Sequence, residues 1–499
     1  MPGYFAAMFT EHPAKTSPTE ARLQLRVRRL DALHGAERAF VHLYADSPNA
    51  FWLDSSRADE RGRFSFIGDS GGPLGALIAY DVDEGEVRVE REGEMEVIQE
   101  SIFDYLGREM RRRRVPAGDL PFDLNCGFVG YFGYELKADC DGDAVHRATT
   151  PDAAFVFAGR IIAFDRLQRR TYLVCLVEPE GAKVGEGWIE ETSRRLASLP
   201  PLPGPDQAGA LTPNGPVEFR LSRSHDRYLE DIAICKRRLF EGQTYEVCLT
   251  NRIAAELASP DPLRLYRALR RVNPAPFSAF LRFGETAVLS SSPERFLRLG
   301  RDRWAEARPI KGTRRRGDTP AEDARLAAAL RADEKSRAEN TTIVDLLRND
   351  LGIVCEYGTI EVPQLMEVET YETVHQLVSV VRGRLREEVE APECIRACFP
   401  PGSMTGAPKV RTMEIIDELE GEARGVYSGA IGYLGLSGGC DLSVAIRTIV
   451  IDGASTSIGA GGAIVLQSDP EEEYEEMLLK ARAPMRALAG KSKRQDLSP

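Results

Sequence analysis

Gly127-Phe128-Val129-Gly130-Tyr131-Phe132-Gly133-Tyr134 reads as a strand running into a turn, with glycines where neighbouring backbones come close. Around it lie short β-like runs at 39–44, 63–67, 76–80, 86–90, 155–157 and 171–177, interrupted by a helix at 101–114. This first region, 21–198, follows a polar tail over 1–20 that carries Pro13, Ser17 and Pro18. It ends at Leu199-Pro200-Pro201-Leu202-Pro203-Gly204-Pro205, continuing to Pro216. So many prolines exclude regular structure, so 199–216 is expected to be a linker. A second region over 217–490 and a tail over 491–499 complete the chain.

The second region mixes both periodicities. Tyr228, Leu229, Ile232, Cys235 and Leu239 fall at helical spacing, and Gly242 stops that helix. Residues 245–250 and 277–283 read as strands. Thr319-Pro320-Ala321-Glu322 is a capping box with proline at the first helical position, and a further helix is expected over 338–347. Asp469-Pro470-Glu471-Glu472 starts a last helix that runs to about Leu488, with a kink expected at Pro484. Strands and helices occur in both regions without a βα repeat, which predicts an α+β fold and not a doubly wound sheet.

The bulk properties exclude several function classes. The 499 residues carry a net charge of −12, which argues against a nucleic-acid partner. No apolar run approaches the roughly 18–20 residues of a membrane span, and the opening Met1-Pro2-Gly3-Tyr4-Phe5 lacks the basic region and apolar core expected of a signal peptide. Nine cysteines without a CxxC pair are expected to be reduced, buried thiols in a cytoplasmic protein. Six histidines without HExxH or HxH make a zinc site an unsuitable reading.

Several constellations could carry chemistry. Glu473, Glu476 and Lys480 share one face of the last helix, beside the apolar Tyr474, Met477, Leu478 and Ala481. Carboxylates at that edge could bind Mg²⁺, which prefers oxygen ligands; they equally fit an acidic first turn favoured by the helix dipole. Glu339 precedes Ile343, Leu346 and Leu347 as a second acidic candidate, or as a solvated helical glutamate. Ser457-Ile458-Gly459-Ala460-Gly461-Gly462-Ala463 reads as a glycine-rich loop whose N–H groups could cradle a carboxylate, or as a tight strand turn. Arg447 stands in the β-like run Ala445-Ile446-Arg447-Thr448-Ile449-Val450. It could grip a carboxylate in bidentate fashion, or face outward on an alternating strand. In Pro309-Ile310-Lys311-Gly312-Thr313 a sheltered lysine could act as a nucleophile, the alternative being a solvated loop lysine. Arg314, Arg315 and Arg316 beside it would lower an amine pKa, and nearby carboxylates would oppose them.

Together these segments resemble the chorismate-utilising enzymes, and within them the component I chains of aminodeoxychorismate (para-aminobenzoate) synthases. The resemblance is carried by Pro309–Thr313, by Ala338-Glu339-Asn340 with Ile343-Val344-Asp345-Leu346-Leu347-Arg348-Asn349-Asp350, and by Pro401-Gly402-Ser403-Met404-Thr405-Gly406-Ala407-Pro408-Lys409-Val410. Tyr427-Ser428-Gly429-Ala430-Ile431-Gly432-Tyr433, Arg447, Gly461-Gly462-Ala463 and Glu473-Tyr474-Glu475-Glu476 with Lys480 add to it. In the first region Phe51-Trp52-Leu53-Asp54-Ser55-Ser56, Arg63-Phe64-Ser65-Phe66-Ile67-Gly68 and Gly130-Tyr131-Phe132-Gly133-Tyr134-Glu135 match more weakly.

The resemblance implies two large packed β-sheets with helices outside, built from both regions, with 217–490 as the chorismate-binding catalytic domain. It implies chorismate as substrate and Mg²⁺ as cofactor. By motif, Glu339 and Glu476 would hold the metal and Glu473 would reach it through water; Ser336 stands where many relatives have a further acidic residue. Gly312, Thr313, Ser403, Tyr427, Arg447, Gly461, Gly462, Ala463 and Lys480 would line the substrate pocket. Lys311 separates the branches of the family, because anthranilate synthases usually have alanine there. It would add at C2 and expel the C4 hydroxyl, with Glu294 as general acid. Ammonia would then take C4, giving 4-amino-4-deoxychorismate on the para-aminobenzoate and folate route. Gln376 replaces the histidine that anthranilate synthases use to eliminate pyruvate, and Glu246 replaces the water-activating lysine of isochorismate and salicylate synthases. No Gly-x-Cys-x-Gly elbow is present and no room for an amidotransferase domain precedes residue 20, so ammonia is expected from a separate glutaminase subunit or from solution. Ser55, Arg61, Arg63, Phe64, Pro276, Phe277 and Ser278 fall where relatives have a tryptophan pocket, or form a structural cleft. The alternatives are an anthranilate synthase component I and a catalytically silent scaffold for a glutaminase.

Overall fold

The computed structural model describes residues 23–55, 62–202, 217–257, 259–371 and 374–490. Alternating apolar residues pair into two antiparallel sheets of twelve strands each. Edge to edge, the first sheet runs Gln24–Leu30, Arg170–Val177, Arg160–Asp165, Phe64–Asp69 and Asn49–Asp54. It continues with Phe277–Phe283, Thr286–Ser292, Thr448–Asp452, Ser455–Ile464, Glu246–Glu256 and Phe219–Leu221. The second runs Ile310–Arg315, Val374–Arg384, Trp304–Arg308, Arg295–Leu299, Cys440–Val444 and Ala430–Gly435, then Gly127–Phe132, Ala153–Ala158, Ala76–Asp81, Glu86–Arg91 and Glu94–Gln99. The twelfth strands are Gly406–Ala407 on Glu246–Glu256 and Glu361–Thr370 on Val374–Arg384.

Residues from before and after the proline run therefore meet inside both sheets. Trp52 lies opposite Phe280 in the first, and Gly130 opposite Gly432 in the second. A Cβ on Gly130 would stand 1.9 Å from the Ala154 carbonyl, so only glycine fits that strand. The sheets pack face to face through pairs such as Phe66 with Tyr433 and Tyr131 with Phe283, ring centres 5.8 and 6.0 Å apart. A second core lies on the outer face of the first sheet. There Ala36–Leu43, His225–Phe240, Pro262–Val272 and Pro470–Ala489 bury Phe40, Trp52, Tyr228, Tyr266 and Met477. Side chains of this size contribute roughly 1.5–3 kcal/mol each on full burial. Glu334–Val354 and Ala391–Cys398 add Ile343, Leu347 and Ile395 to the larger core, which also holds Phe66, Tyr131 and Tyr433.

Three local readings of the sequence are corrected. Residues 39–44 belong to the helix Ala36–Leu43, not to a strand. Ala39 and Phe40 point inward, Tyr44 packs on Phe40 one turn away, and Glu37 anchors the start by accepting from Arg267 and Arg270. Residues 457–463 are not a loop but most of the strand Ser455–Ile464, paired throughout with Glu246–Glu256. Arg447 is not in a strand. Cys440–Val444 belongs to the second sheet and Thr448–Asp452 to the first, and the chain crosses between them at Arg447, whose φ is +54°. The β-like composition of that run was real, but it belongs to two strands separated by a bend.

The cap signals read from the sequence at Thr319 and Asp469 are present, and two serines cap further helices. Ser101, Ser224, Thr319 and Asp469 each accept N–H bonds at a helix start. All nine cysteines are buried and unpaired. Among the described residues no helix is long and apolar enough to cross a membrane.

Candidate active site

The crossing at Arg447, the strand Ser455–Ile464 and the last helix enclose a cavity of about 1250 Å³ with the edge of the second sheet. Strand pairing sets its back wall. Gly461, Gly462 and Ala463 stand opposite Thr250, Leu249 and Cys248. A Cβ on Gly459 would fall 2.2 Å from the ring of Tyr427, and one on Gly462 would fall 3.1 Å from a Glu473 oxygen. The glycines thus let an aromatic ring and a carboxylate close on bare backbone. On the helix, Lys480 Nζ donates to the Gly461 carbonyl at 2.8 Å and pairs with Glu476 at 2.7 Å. The Arg447 guanidinium donates to the Lys480 carbonyl at 2.9 Å. Among the described residues it has no carboxylate partner, so it remains free to meet an anion.

The opposite wall is Ile310–Arg315, an edge strand whose register shifts between Ile310 and Thr313. Gly312 makes that bulge with φ +84°, and a Cβ there would stand 2.5 Å from the Ser336 hydroxyl. The bulge aims Lys311 inward, and the side chain is only 8% exposed. Its Nζ lies 2.5 Å from Glu246 Oε1. Burial opposes the charge on Lys311, but Glu246 and Glu339 outweigh it and raise the amine well above its ordinary pKa. The expected influence of the three arginines is not seen. Arg314, Arg315 and Arg316 turn to Asp333, Glu322 and Asp323 at 3.4, 2.5 and 2.7 Å, so each guanidinium is paired with a carboxylate.

Glu246 was passed over in the sequence because only its difference from a lysine was weighed. Its strand is fixed by the motif at 401–410. Tyr245 and Cys248 donate their N–H groups to Ala407 and Thr405, and a Cβ on Gly406 would meet the Glu246 carbonyl at 1.9 Å. The same motif presents Ser403 beside Glu294. Burial pushes Glu294 up to about 7, against the pull of the Ser403 hydroxyl and of the Lys311 and Lys480 charges. Strand alternation then separates two neighbours on Val374–Arg384. Gln376 lines the cavity, while His375 faces away, between Asp323 and Thr370 at 2.9 Å each.

The acidic corner is formed by two helices. Glu339 on Glu334–Val354 and Glu473 and Glu476 on Pro470–Ala489 converge on Lys335, the second residue the sequence did not reveal. Burial pushes Glu339 up to about 7, with Lys311 working against the shift. Against the cost of burial, Lys480 and Lys335 hold Glu476 below the usual carboxylate range. Three carboxylates within 4 Å of one cationic nitrogen are a donor set suited to a hard divalent ion. Glu473 Oε2 is moreover buried without a hydrogen-bond partner. Among the described residues, no three acidic, histidine or cysteine side chains stand close enough together to close on a bare ion. The carboxylates are spaced for an ammonium and would have to draw in. Ser336 gives its hydroxyl and N–H to Asp333, its helix cap, at 2.6 and 2.9 Å.

The family model for chorismate binding enzymes matches residues 49–486. The chain belongs to the chorismate binding enzymes. This chorismate binding enzyme is 51% identical over 486 residues to the aminodeoxychorismate synthase of Streptomyces pristinaespiralis, covering 95% of the chain and 66% of that protein. It is 36% identical to anthranilate synthase component 1 of Methanothermobacter thermautotrophicus, covering 90% and 91%. The crystal structure of anthranilate synthase component I from Streptococcus pneumoniae superposes with a TM-score of 0.72 at 29% identity, covering 85% and 92%. The chain spans only 52–66% of the length of the aminodeoxychorismate synthases it matches.

Other motif residues of this chorismate binding enzyme support the frame. Asp350 pairs with Lys409 at 2.7 Å, and Asn340 accepts from the Ser379 hydroxyl at 2.5 Å. The described residues set against a tryptophan pocket lie in strands of the first sheet or at their ends, and none of them lines the cavity. Ser55 donates to the Phe64 and Pro276 carbonyls at 3.0 and 3.3 Å, and Ser278 pairs with Asp54 across the strands. Arg63 is bound bidentately to Asp165, and Phe277 lies under Arg295. Arg61 lies outside the described residues.

Proposed function

We propose that this chain aminates chorismate at C4, giving 4-amino-4-deoxychorismate and water from chorismate and ammonia. The observation that carries this reading is Lys311 inside the cavity, paired with Glu246 and facing the same space as Glu294. Lys311 must lose a proton to attack, and Glu246 is the acceptor within reach. The neutral amine forms a bond to C2, the ring double bond shifts, and the C4–oxygen bond breaks as Glu294 gives its proton to the leaving hydroxyl. Ammonia then bonds to C4 as the C2–nitrogen bond breaks, the double bond returns, and Lys311 regains its proton from Glu246. Glu294 accepts the proton that the new amine sheds, so both carboxyl groups end as they began.

Arg447, Lys480 and the backbone at Gly461, Gly462 and Ala463 offer donors to the carboxylates of the substrate. Glu339, Glu473 and Glu476 would hold Mg²⁺, which when bound supplies positive charge for the ring carboxylate. Gln376 in the wall supports a product that keeps its enolpyruvyl group, since glutamine cannot serve as an acid–base group at that position. Ammonia would come from a separate glutaminase subunit; the sequence has no cysteine elbow to release it from glutamine. Mass analysis of the product from chorismate, Mg²⁺ and ammonium tests the reading. A product with one added nitrogen and the enolpyruvyl group intact is expected. Loss of pyruvate would mean anthranilate and overturn it, and no turnover at all would point to a scaffold.

A further inference from the structure

Lys335 takes no part in the amination above, on whose metal assignment the following rests. Its side chain leaves the first turn of Glu334–Val354, where the helix dipole disfavours a cation. Nonetheless its Nζ lies 2.5 Å from Glu473 Oε1, 3.8 Å from Glu339 Oε1 and 3.9 Å from Glu476 Oε2. These are the three carboxylates assigned to Mg²⁺, brought from two separate helices to one point. Three such groups would repel one another without a cation between them. Lys480 does not serve here, because it reaches Glu476 from the other side and is tied to the Gly461 carbonyl.

The lysine is also placed to leave. Only the Glu473 contact is a hydrogen bond in length; the other two are longer than 3.5 Å. The side chain remains 31% exposed, on a flexible four-carbon stem, so solvent is one rotation away. Glu473 Oε2, buried and unpartnered, is a ligand oxygen that the ammonium leaves unused.

We propose that Lys335 is a tethered counter-ion of the acidic corner: it keeps the three carboxylates together before metal arrives, and it must swing out for Mg²⁺ to enter. The metal therefore binds in competition with a residue of the chain. A site that a residue of the chain occupies part of the time shows an apparent affinity reduced by the fraction of time it is open. The lysine accordingly sets a threshold of Mg²⁺ concentration, and gives the empty corner a stability it would otherwise lack.

Calorimetric titration of Mg²⁺ into the wild-type chain and Lys335→Met tests this, together with melting temperatures in a chelator and in saturating Mg²⁺. Lys335→Met should bind Mg²⁺ severalfold more tightly, because the metal no longer has to displace an occupant. It should melt below the wild type in chelator, and the difference should close when Mg²⁺ is added. In the wild-type chain, acylation of Lys335 read by peptide mass should rise on adding Mg²⁺, which needs no variant to fold. Equal affinities, equal melting in chelator and unchanged acylation would overturn the proposal while leaving the metal site standing. A wild-type chain that binds no Mg²⁺ removes the metal assignment itself, and this competition with it.

Discussion

The ammonium of Lys311 lies 2.5 Å from Oε1 of Glu246, and the two side chains are 8% and 1% exposed. In the proposed reaction this pair would store the nucleophile in its charged form and hold, one hydrogen bond away, the base that discharges it. Glu246→Gln keeps a partner for the amine but cannot take its proton. We expect kcat to fall by about 10²–10³, within the range of positioned general bases, with a much smaller change in the KM for chorismate. Steady-state rates with ammonium check this; an unchanged kcat would assign the proton to another group.

Lys311→Ala should abolish C4 amination and leave Glu246 a buried carboxylate without its counter-charge. Removing one partner of a buried pair costs about 3–5 kcal/mol. The double variant Lys311→Ala with Glu246→Gln should recover most of that stability and none of the activity. Denaturant unfolding and product assays on the three variants separate the two roles. With chorismate and no ammonia, peptide mapping of the wild type should find the substrate skeleton on Lys311.

In the proposed reaction Glu294 must carry a proton to expel the hydroxyl, and burial pushes its pKa up to about 7. Its protonated fraction falls tenfold per unit above that value, so kcat should decline as pH rises past about 7. The profile should be recorded at constant free ammonia. A rate that climbs steadily to alkaline pH would exclude Glu294 as the acid.

Glu339→Gln and Glu476→Gln should each lose activity at limiting Mg²⁺ without unfolding. Each variant removes one oxygen ligand of a hard cation from a corner otherwise built to hold it. Near-normal turnover by either one, with Mg²⁺ held low, would refute the metal assignment.

Gly459→Ala places a methyl 2.2 Å from the Tyr427 ring. Overpacking of this kind costs about 1–3 kcal/mol. The ring's escape lies toward the cavity, so the KM for chorismate should rise along with the loss of stability. Thermal unfolding and substrate titration read the two effects; a rise in KM without destabilisation would place Tyr427 differently.

Most of the second region was legible because its signals are local. Caps at Thr319 and Asp469 and the strand Phe277–Phe283 stand where the pattern put them. The cavity also gathers Lys311, Glu294, Arg447 and Glu476, quoted from segments far apart in the chain. What escaped depended on partners. Gln24–Leu30 is a strand whose charged residues sit on a sheet edge, so it lacks an apolar run of its own. Residues 39–44 carry apolar side chains that suit either period, and burial of Phe40 against Trp52 decides for the helix. Arg447 lies in a continuous apolar run, and nothing local marks the bend where one sheet ends and the other begins. Glu246 and Lys335 are unremarkable acidic and basic residues until folding sets them against Lys311 and Glu473.

The interleaving of the two regions within both sheets constrains how this chain can change. A fragment beginning after the proline run would bare the flank of Phe277–Phe283 and that of Ala430–Gly435, two long apolar ribbons with unpaired backbone. Such a fragment should aggregate and not survive as a small enzyme. A chimera joined at the same point would need both borders to match, Trp52 against Phe280 and Gly130 against Gly432, before its cavity could close. New specificity is therefore more accessible by single replacements in the cavity wall than by exchanging halves with a relative.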